Sequence, residues 1–136
     1  MKRKRISVEN QLCIGPNFTT AEFALIKRNL SEQKGLRTLS DSLGVAGNLQ
    51  RLSILYLLHA HREMCVCDLA EVLGISGSAV SQHLRKLKDR NMVRFRRNNQ
   101  TLFYSLIKNP LTSNLEEIFD RDETREQHTF VLEERD

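Results

Sequence analysis

Apolar positions after Phe18 recur at Phe23, Ile26 and Leu30 and, beyond Gly35, at Leu36, Leu39 and Leu43. Steps of three and four residues match the turn of a helix with one buried face, so a helical stretch is expected here, interrupted near Gly35. Asn48 has the side chain of an N-cap and opens a second helix. Leu49, Leu52, Leu55 and Leu58 predict its buried face, widened by Ile54 and Leu57, and it should end between His59 and Arg62. Val66, Leu69, Ala70 and Leu73 then stand at i, i+3, i+4 and i+7 and define a short helix that Gly74 stops. Ser76 caps the next helix, whose inner face carries Val80, Leu84 and Leu87.

Two short helices across a tight glycine turn form a helix-turn-helix. On its outer face the second presents Ser78, Ser81, Gln82 and Arg85, polar groups able to bond base edges or phosphates. Next, Val93 to Arg97 and Thr101 to Leu106 flank Asn98, Asn99 and Gln100. Asparagine tolerates the left-handed backbone of a hairpin turn, so a basic β-hairpin, a wing, is predicted. Pro110 breaks the chain, and Leu111, Leu115, Ile118 and Phe119 form a narrow stripe on a final helix, expected to pack against the first helix across a dimer interface. Beyond Asp120 the chain is nearly all polar and is expected to fray. The fold class is mainly α with a small β-hairpin, a homodimeric winged helix-turn-helix. Its parts are an N-terminal arm and dimerisation helix over 1–45, the DNA-binding domain over 46–109, and a C-terminal dimerisation helix with an acidic tail over 110–136.

Composition narrows the class. A chain of 136 residues, 40% hydrophobic and 28% charged, suits one soluble domain and excludes wholesale disorder or a collagen-like repeat. Its longest aliphatic and aromatic run, Ile54 to Leu58, is far short of the roughly 20 residues of a spanning helix. Met1 to Arg5 is basic, but no apolar segment follows as in a signal peptide, and three cysteines are too few for a disulfide framework. A cytoplasmic protein with no membrane association is expected.

Charge informs more by region than in total. The net charge of +4 is modest, yet from Leu84 to Lys108 eight basic residues face one acid, Asp89, whereas Glu116 to Asp136 holds nine acids and three arginines. The basic block falls on the second helix of the motif and on the wing. That placement predicts double-stranded DNA as partner, with Ser76, Ser78, Ser81, Gln82, Arg85 and Lys86 at the major groove and Arg94, Arg96 and Arg97 at phosphate or minor groove. About five phosphate contacts per protomer predict a log-log salt slope near −9 for a dimer.

Cys65 and Cys67 lie in Glu63-Met64-Cys65-Val66-Cys67-Asp68-Leu69. In a regular helix, residues i and i+2 point about 200° apart, so the two thiols could neither share one buried face nor hold one ion. They belong at a helix start that can bend, where a soft ion would pull on the element positioning the DNA-reading helix.

These residues make the chain resemble the ArsR/SmtB family of metal-sensing repressors, from Asn48 to Leu106 and most specifically in Glu63 to Leu69, Ser76 to Leu84 and Phe103-Tyr104-Ser105-Leu106. The resemblance implies a homodimeric winged-helix repressor that leaves operator DNA on binding metal or metalloid, with Cys65 and Cys67 as inducer ligands. Arsenic sensors of this type often carry a third cysteine where Ala70 stands here. A cadmium- and lead-sensing branch recruits arm cysteines from the other protomer, a role Cys13 fits, within or across protomers, although that branch commonly has two. The family's Asp-Pro is Asn48-Leu49 here, its wing glycine is Asn99, and Lys108 and Pro110 replace the first ligands of its C-terminal site.

Cys13, Cys65 and Cys67 together suit Cd(II), Pb(II), Hg(II), As(III) or Sb(III) as inducer. Zn(II), which would need His59 or His61 beside the thiolates, ranks below them. His83 shares a face with Val80, Leu84 and Leu87 and is expected to be structural. The alternative is a redox- or persulfide-sensing repressor using the same cysteines. No Cys-x5-Arg loop, Cys-x-x-Cys pair or glycine-rich phosphate loop occurs, so neither an enzyme nor an organic small-molecule substrate is expected.

Overall fold

The computed structural model describes residues 5–8, 11–14 and 17–133, with side chains from 17 to 121. The chain forms two compact units, Met1–Leu39 and Ser40–Asp136.

The first unit opens with an antiparallel hairpin of β1 (Arg5–Val8) and β2 (Gln11–Ile14), which places Cys13 opposite Ile6. The alternation of Ile6 and Val8 with Ser7, and of Leu12 and Ile14 with Cys13, is the period-two signal for these strands. Helix α1 (Thr20–Ser31) is fixed by a reciprocal cap. The Glu22 N–H donates to Thr19 Oγ1 at 3.1 Å, and the Thr19 N–H donates to Glu22 Oε2 at 2.9 Å. Phe18 meets Phe23 edge-to-face at 5.7 Å, a staple over that cap. Helix α2 (Lys34–Ala46) belongs to this unit up to Leu39. The break between α1 and α2 thus falls at Glu32 and Gln33, before Gly35, which is accommodated inside the first turn of α2.

The second unit is built on α3 (Leu49–His61), β3 (Met64–Cys65), α4 (Val66–Leu73), α5 (Gly77–Asp89), β4 (Val93–Asn98), β5 (Thr101–Leu106) and α6 (Pro110–Glu133). Asn48 caps α3 by accepting from the Arg51 N–H at 3.1 Å. Its buried face is Ile54, Leu55 and Leu58, which join Leu69 of α4, Val80, Leu84 and Leu87 of α5, and Met64, Met92 and Val93 in one core. Leu49 is the exception to the expected stripe: it begins the helix and is 78% exposed, and Ile54 takes the inward place.

Gly74 ends α4 in the left-handed region at φ 67°, and Ser76 caps α5 by accepting from the Ala79 N–H at 3.1 Å. The three-stranded sheet has the order β3-β5-β4, all antiparallel. The wing turns over Asn99 and Gln100, with Asn99 at φ 58°. The short strand β3, not evident as a strand in the sequence, completes the sheet by pairing Met64 with Tyr104 and Cys65 with Phe103.

Helix α6 starts at Pro110, where a missing N–H costs nothing, and Asn109 caps it by accepting from the Thr112 N–H at 2.9 Å. Leu111 and Leu115 are partly buried against the core, and Phe119 is buried and meets Tyr56 of α3 edge-to-face at 5.5 Å. Ile118 stays exposed. The backbone continues helical through Glu133 rather than fraying from Asp120, consistent with a stretch that holds three Glu and two Arg and is free of Gly and Pro.

Candidate nucleic-acid interface

Burying Val80, Leu84 and Leu87 turns the other side of α5 to solvent, and Ser78, Ser81, Gln82, Arg85 and Lys86 are all exposed there. Ser76 is exposed as well, with its oxygen engaged in the cap and its hydroxyl proton left to donate. His83 stays half-buried and faces Arg51, whose Nη1 lies 3.4 Å from His83 Nδ1. Burial, then the charges of Arg51 and Lys86, push the His83 pKa down, so the neutral ring accepts from the guanidinium. Arg51 also donates from Nε to the Val45 carbonyl at 2.6 Å, tying the end of α2 to α3.

Along β4 only Val93 is buried, and Arg94, Arg96 and Arg97 are exposed. Arg96 differs from the other two. Its Nε donates to Glu63 Oε2 at 2.6 Å, its guanidinium carbon lies 4.9 Å from the Phe103 ring centre, and the Glu63 contact raises its pKa. Among the described residues, Arg85, Lys86, Arg94 and Arg97 make no ion pair. Lys88 sits 4.7 Å over the Phe95 ring, and Arg90 approaches Asp41 at 3.7 Å. On α5 and the wing, Arg85, Lys86, Arg94 and Arg97 are therefore exposed without an ion pair among the described residues and are available to an anionic partner.

The thiols lie at the β3–α4 junction. Cys65 is the last residue of β3 and the N-cap of α4, in extended conformation at φ −87° and ψ 170°, and is half-buried. Its N–H donates to Asp68 Oδ2 at 3.4 Å, a long, weak bond. Cys67 is exposed in the first helical turn. The two cysteines thus occupy a strand and a helix, not one regular helix. Their soft donors fit a thiophilic ion, but two ligands do not complete a site. The side chain of Cys13 lies outside the described residues, and among those no group of three or more His, Cys, Asp or Glu assembles a metal site.

His59 is taken up elsewhere. Nδ1 lies 2.9 Å from Glu116 and Nε2 2.6 Å from Asp120, so the ring bridges α3 to α6. Burial alone would lower its pKa, but hydrogen bonds to Asp120 and Glu116 and their charges outweigh this and raise it. A carboxylate at i and another at i+4 on α6 was the available sequence signal for this bridge. The Glu63–Arg96 pair had none, since its partners are 33 residues apart.

A helix-turn-helix with a basic wing and a solvent-facing polar second helix defines a winged helix-turn-helix DNA-binding protein. Residues 49–94 match the family described as bacterial regulatory protein, arsR family. The chain is 29% identical over 112 residues to the transcriptional repressor SmtB homolog of a Synechocystis species, covering 82% of this chain and 84% of that one. It is 33% identical over 86 residues to a cadmium resistance transcriptional regulatory protein, the CadC homolog of Staphylococcus aureus, covering 59% and 65%. Reduced HlyU from Vibrio cholerae superposes with a TM-score of 0.59 at 32% identity, covering 67% of this chain and 94% of that one. The chain belongs to the ArsR family, and is a DNA-binding transcriptional regulator rather than an enzyme. No helix of the described residues is long and apolar enough to cross a membrane.

Proposed function

We propose that the protein is a homodimeric repressor that holds operator DNA in its reduced, ion-free form and releases it when a thiophilic ion is taken up by Cys65 and Cys67. The observation that carries this reading is their placement: one thiol ends the strand that anchors the wing, and the other begins the helix that packs on α5. Drawing both sulfurs to one ion demands movement at this junction, and either element transmits it to a DNA-contacting surface. Cd(II), Pb(II), Hg(II), As(III) and Sb(III) are the ions suited to thiolates, with Cys13 as third donor. Ser76, Ser78, Ser81, Gln82, Arg85, Lys86, Arg94, Arg96 and Arg97 are assigned to DNA. The exposed leucines of α1 and α2 belong to the dimer interface, with the arm and dimerisation helix over 1–45 and the reading domain over 46–109. A cytoplasmic location follows from operator DNA as partner.

The test is fluorescence anisotropy of the reduced protein on DNA from upstream of its own gene, titrated with each ion, with Cys65→Ser as control. Release by one ion at micromolar concentration, lost in the mutant, is the expected result. Full inducibility of Cys65→Ser with normal DNA binding would overturn the mechanism.

A second reading has its own support in the likeness to a protein solved as reduced HlyU. Here two thiols join as a disulfide while hydrogen peroxide is reduced to water, and Cys13 is the partner, since Cys65 and Cys67 are too close in sequence to join without strain. DNA release by peroxide but by no ion, with a Cys13 cross-link in the mass spectrum, would select it.

A further inference from the structure

We propose that Glu63 is an internal counter-ion that competes with the DNA backbone for Arg96 and thereby limits the affinity of the wing. This rests on the assignment of the wing to DNA. Glu63 precedes the sheet, 33 positions from Arg96, yet its carboxylate accepts from Arg96 Nε at 2.6 Å. Phe103 holds the same guanidinium from its ring face at 4.9 Å. Around the pair lies an open cleft of about 470 Å³ lined by Arg62, Glu63, Arg94, Phe95, Arg96 and Ser105. Arg62, Arg94 and Arg96 line it beside the Glu63 carboxylate, which pairs with Arg96 where a phosphate oxygen would otherwise sit.

Both partners reach solvent, at 56% exposure for Arg96 and 39% for Glu63, so the contact is an exchangeable surface pair. Its consequence for DNA is a matter of counter-ions. A free arginine that neutralises a phosphate releases condensed cation, whereas one already neutralised by a carboxylate contributes little to that release. Arg96 lies two residues before Asn98, the last residue of β4, close enough to the wing tip to exchange Glu63 for phosphate.

The experiment compares full-length reduced wild type, Glu63→Gln, Glu63→Asp, Arg96→Gln and the double variant Glu63→Gln/Arg96→Gln. Anisotropy is read on a labelled duplex from upstream of the protein's gene, between about 50 and 200 mM salt. Glu63→Gln should bind several-fold tighter, with a salt slope steeper by about 0.9 per protomer. The double variant should match Arg96→Gln alone. Glu63→Asp keeps the charge and shortens the reach, and should fall between wild type and Glu63→Gln. A gain that persists without Arg96 would mean that Glu63 merely repels DNA and would overturn the proposal. So would an unchanged slope, or weaker binding by both Glu63 variants with normal melting, which would make the pair a scaffold. Failure of the wild type to bind any duplex would overturn the DNA assignment of the wing as well.

Discussion

Cys65 stands opposite Phe103 in the β3–β5 ladder, and Phe103 stands opposite Arg96 in the β5–β4 ladder. Directly opposed residues project to the same side of a sheet, so thiol, ring and guanidinium form one row across three strands. This row gives a movement of Cys65 a path to the wing through the Phe103 side chain. Phe103→Ala should leave cadmium uptake by the thiolates intact, followed by their ultraviolet charge-transfer absorbance. It should also reduce the effect of cadmium on DNA affinity, for which a coupling of about 1–3 kcal/mol is typical. Undiminished coupling in Phe103→Ala would assign the signal to α4 alone.

The His59 bridge makes stability depend on pH in a definite direction. Its folded pKa lies above the ordinary histidine value, so the unfolded chain releases this proton first as pH rises. The contribution is then complete below the unfolded value and fades as pH climbs through the folded one. Glu116, half-buried, and Asp120, mostly exposed, are the charged groups facing the ring, and Phe119 packs beside it at 5.9 Å. Solvent screening at Asp120 keeps the worth of the bridge near 1 kcal/mol. Urea unfolding should show His59→Gln less stable than wild type by about that amount near pH 5.5, with the difference shrinking by pH 8.5. A difference constant across that range would show that packing, not charge, holds α3 to α6.

Among the described residues, Thr112 is the buried polar side chain, 1% exposed. Its hydroxyl donates to the Ile107 carbonyl at 2.7 Å and accepts from the Asn109 N–H at 2.9 Å, closing the cap of α6 onto the end of the wing. Thr112→Val keeps the shape and strands both backbone groups, which should cost about 1–3 kcal/mol in thermal or urea unfolding. Little change would mean that water replaces the hydroxyl.

How much of this was legible in the sequence varied with the range of the interaction. The caps Asn48 and Ser76, the stop at Gly74 and the inner face of α5 were readable because each is decided within one or two helical turns. Strand β3 was not. Two residues carry no period, and Met64–Cys65 is a strand because β5 lies beside it. For the same reason Cys65 and Cys67 were legible as a chemical pair, while Glu63 beside Arg96 was not, and for His59 the sequence offered only the i, i+4 carboxylates of α6 without the contact that the fold makes. Leu49 misled because spacing alone cannot tell which of two overlapping helical stripes meets the core.

The wing turn offers a test of backbone strain. Asn99 occupies the left-handed region at φ 58°, which asparagine tolerates and glycine enters without a steric penalty. Asn99→Gly should be close to neutral in melting temperature, and Asn99→Val should cost about 1–2 kcal/mol. If valine were as stable as asparagine, the turn would have to adopt another conformation.

Helices α1 and α2 carry leucines that the described chain does not cover. Helix α1 buries none of its residues, Leu30 is 63% exposed, and Leu36, Leu39 and Leu43 are each close to half exposed. Contiguous exposed apolar side chains at helical spacing mark an association surface, and a second copy of the chain is the occupant that a palindromic operator would require. Leu30→Glu should therefore shift the protein from dimer to monomer in sedimentation equilibrium and weaken operator binding by at least tenfold, about 1.4 kcal/mol. Because Leu30 lies outside the core of Ile54, Leu55, Leu84 and Leu87, the monomer should keep its helical circular dichroism. A dimer undisturbed by Leu30→Glu, or a monomeric wild type, would place the protein outside the two-fold scheme, and the DNA reading would then rest on a single recognition helix.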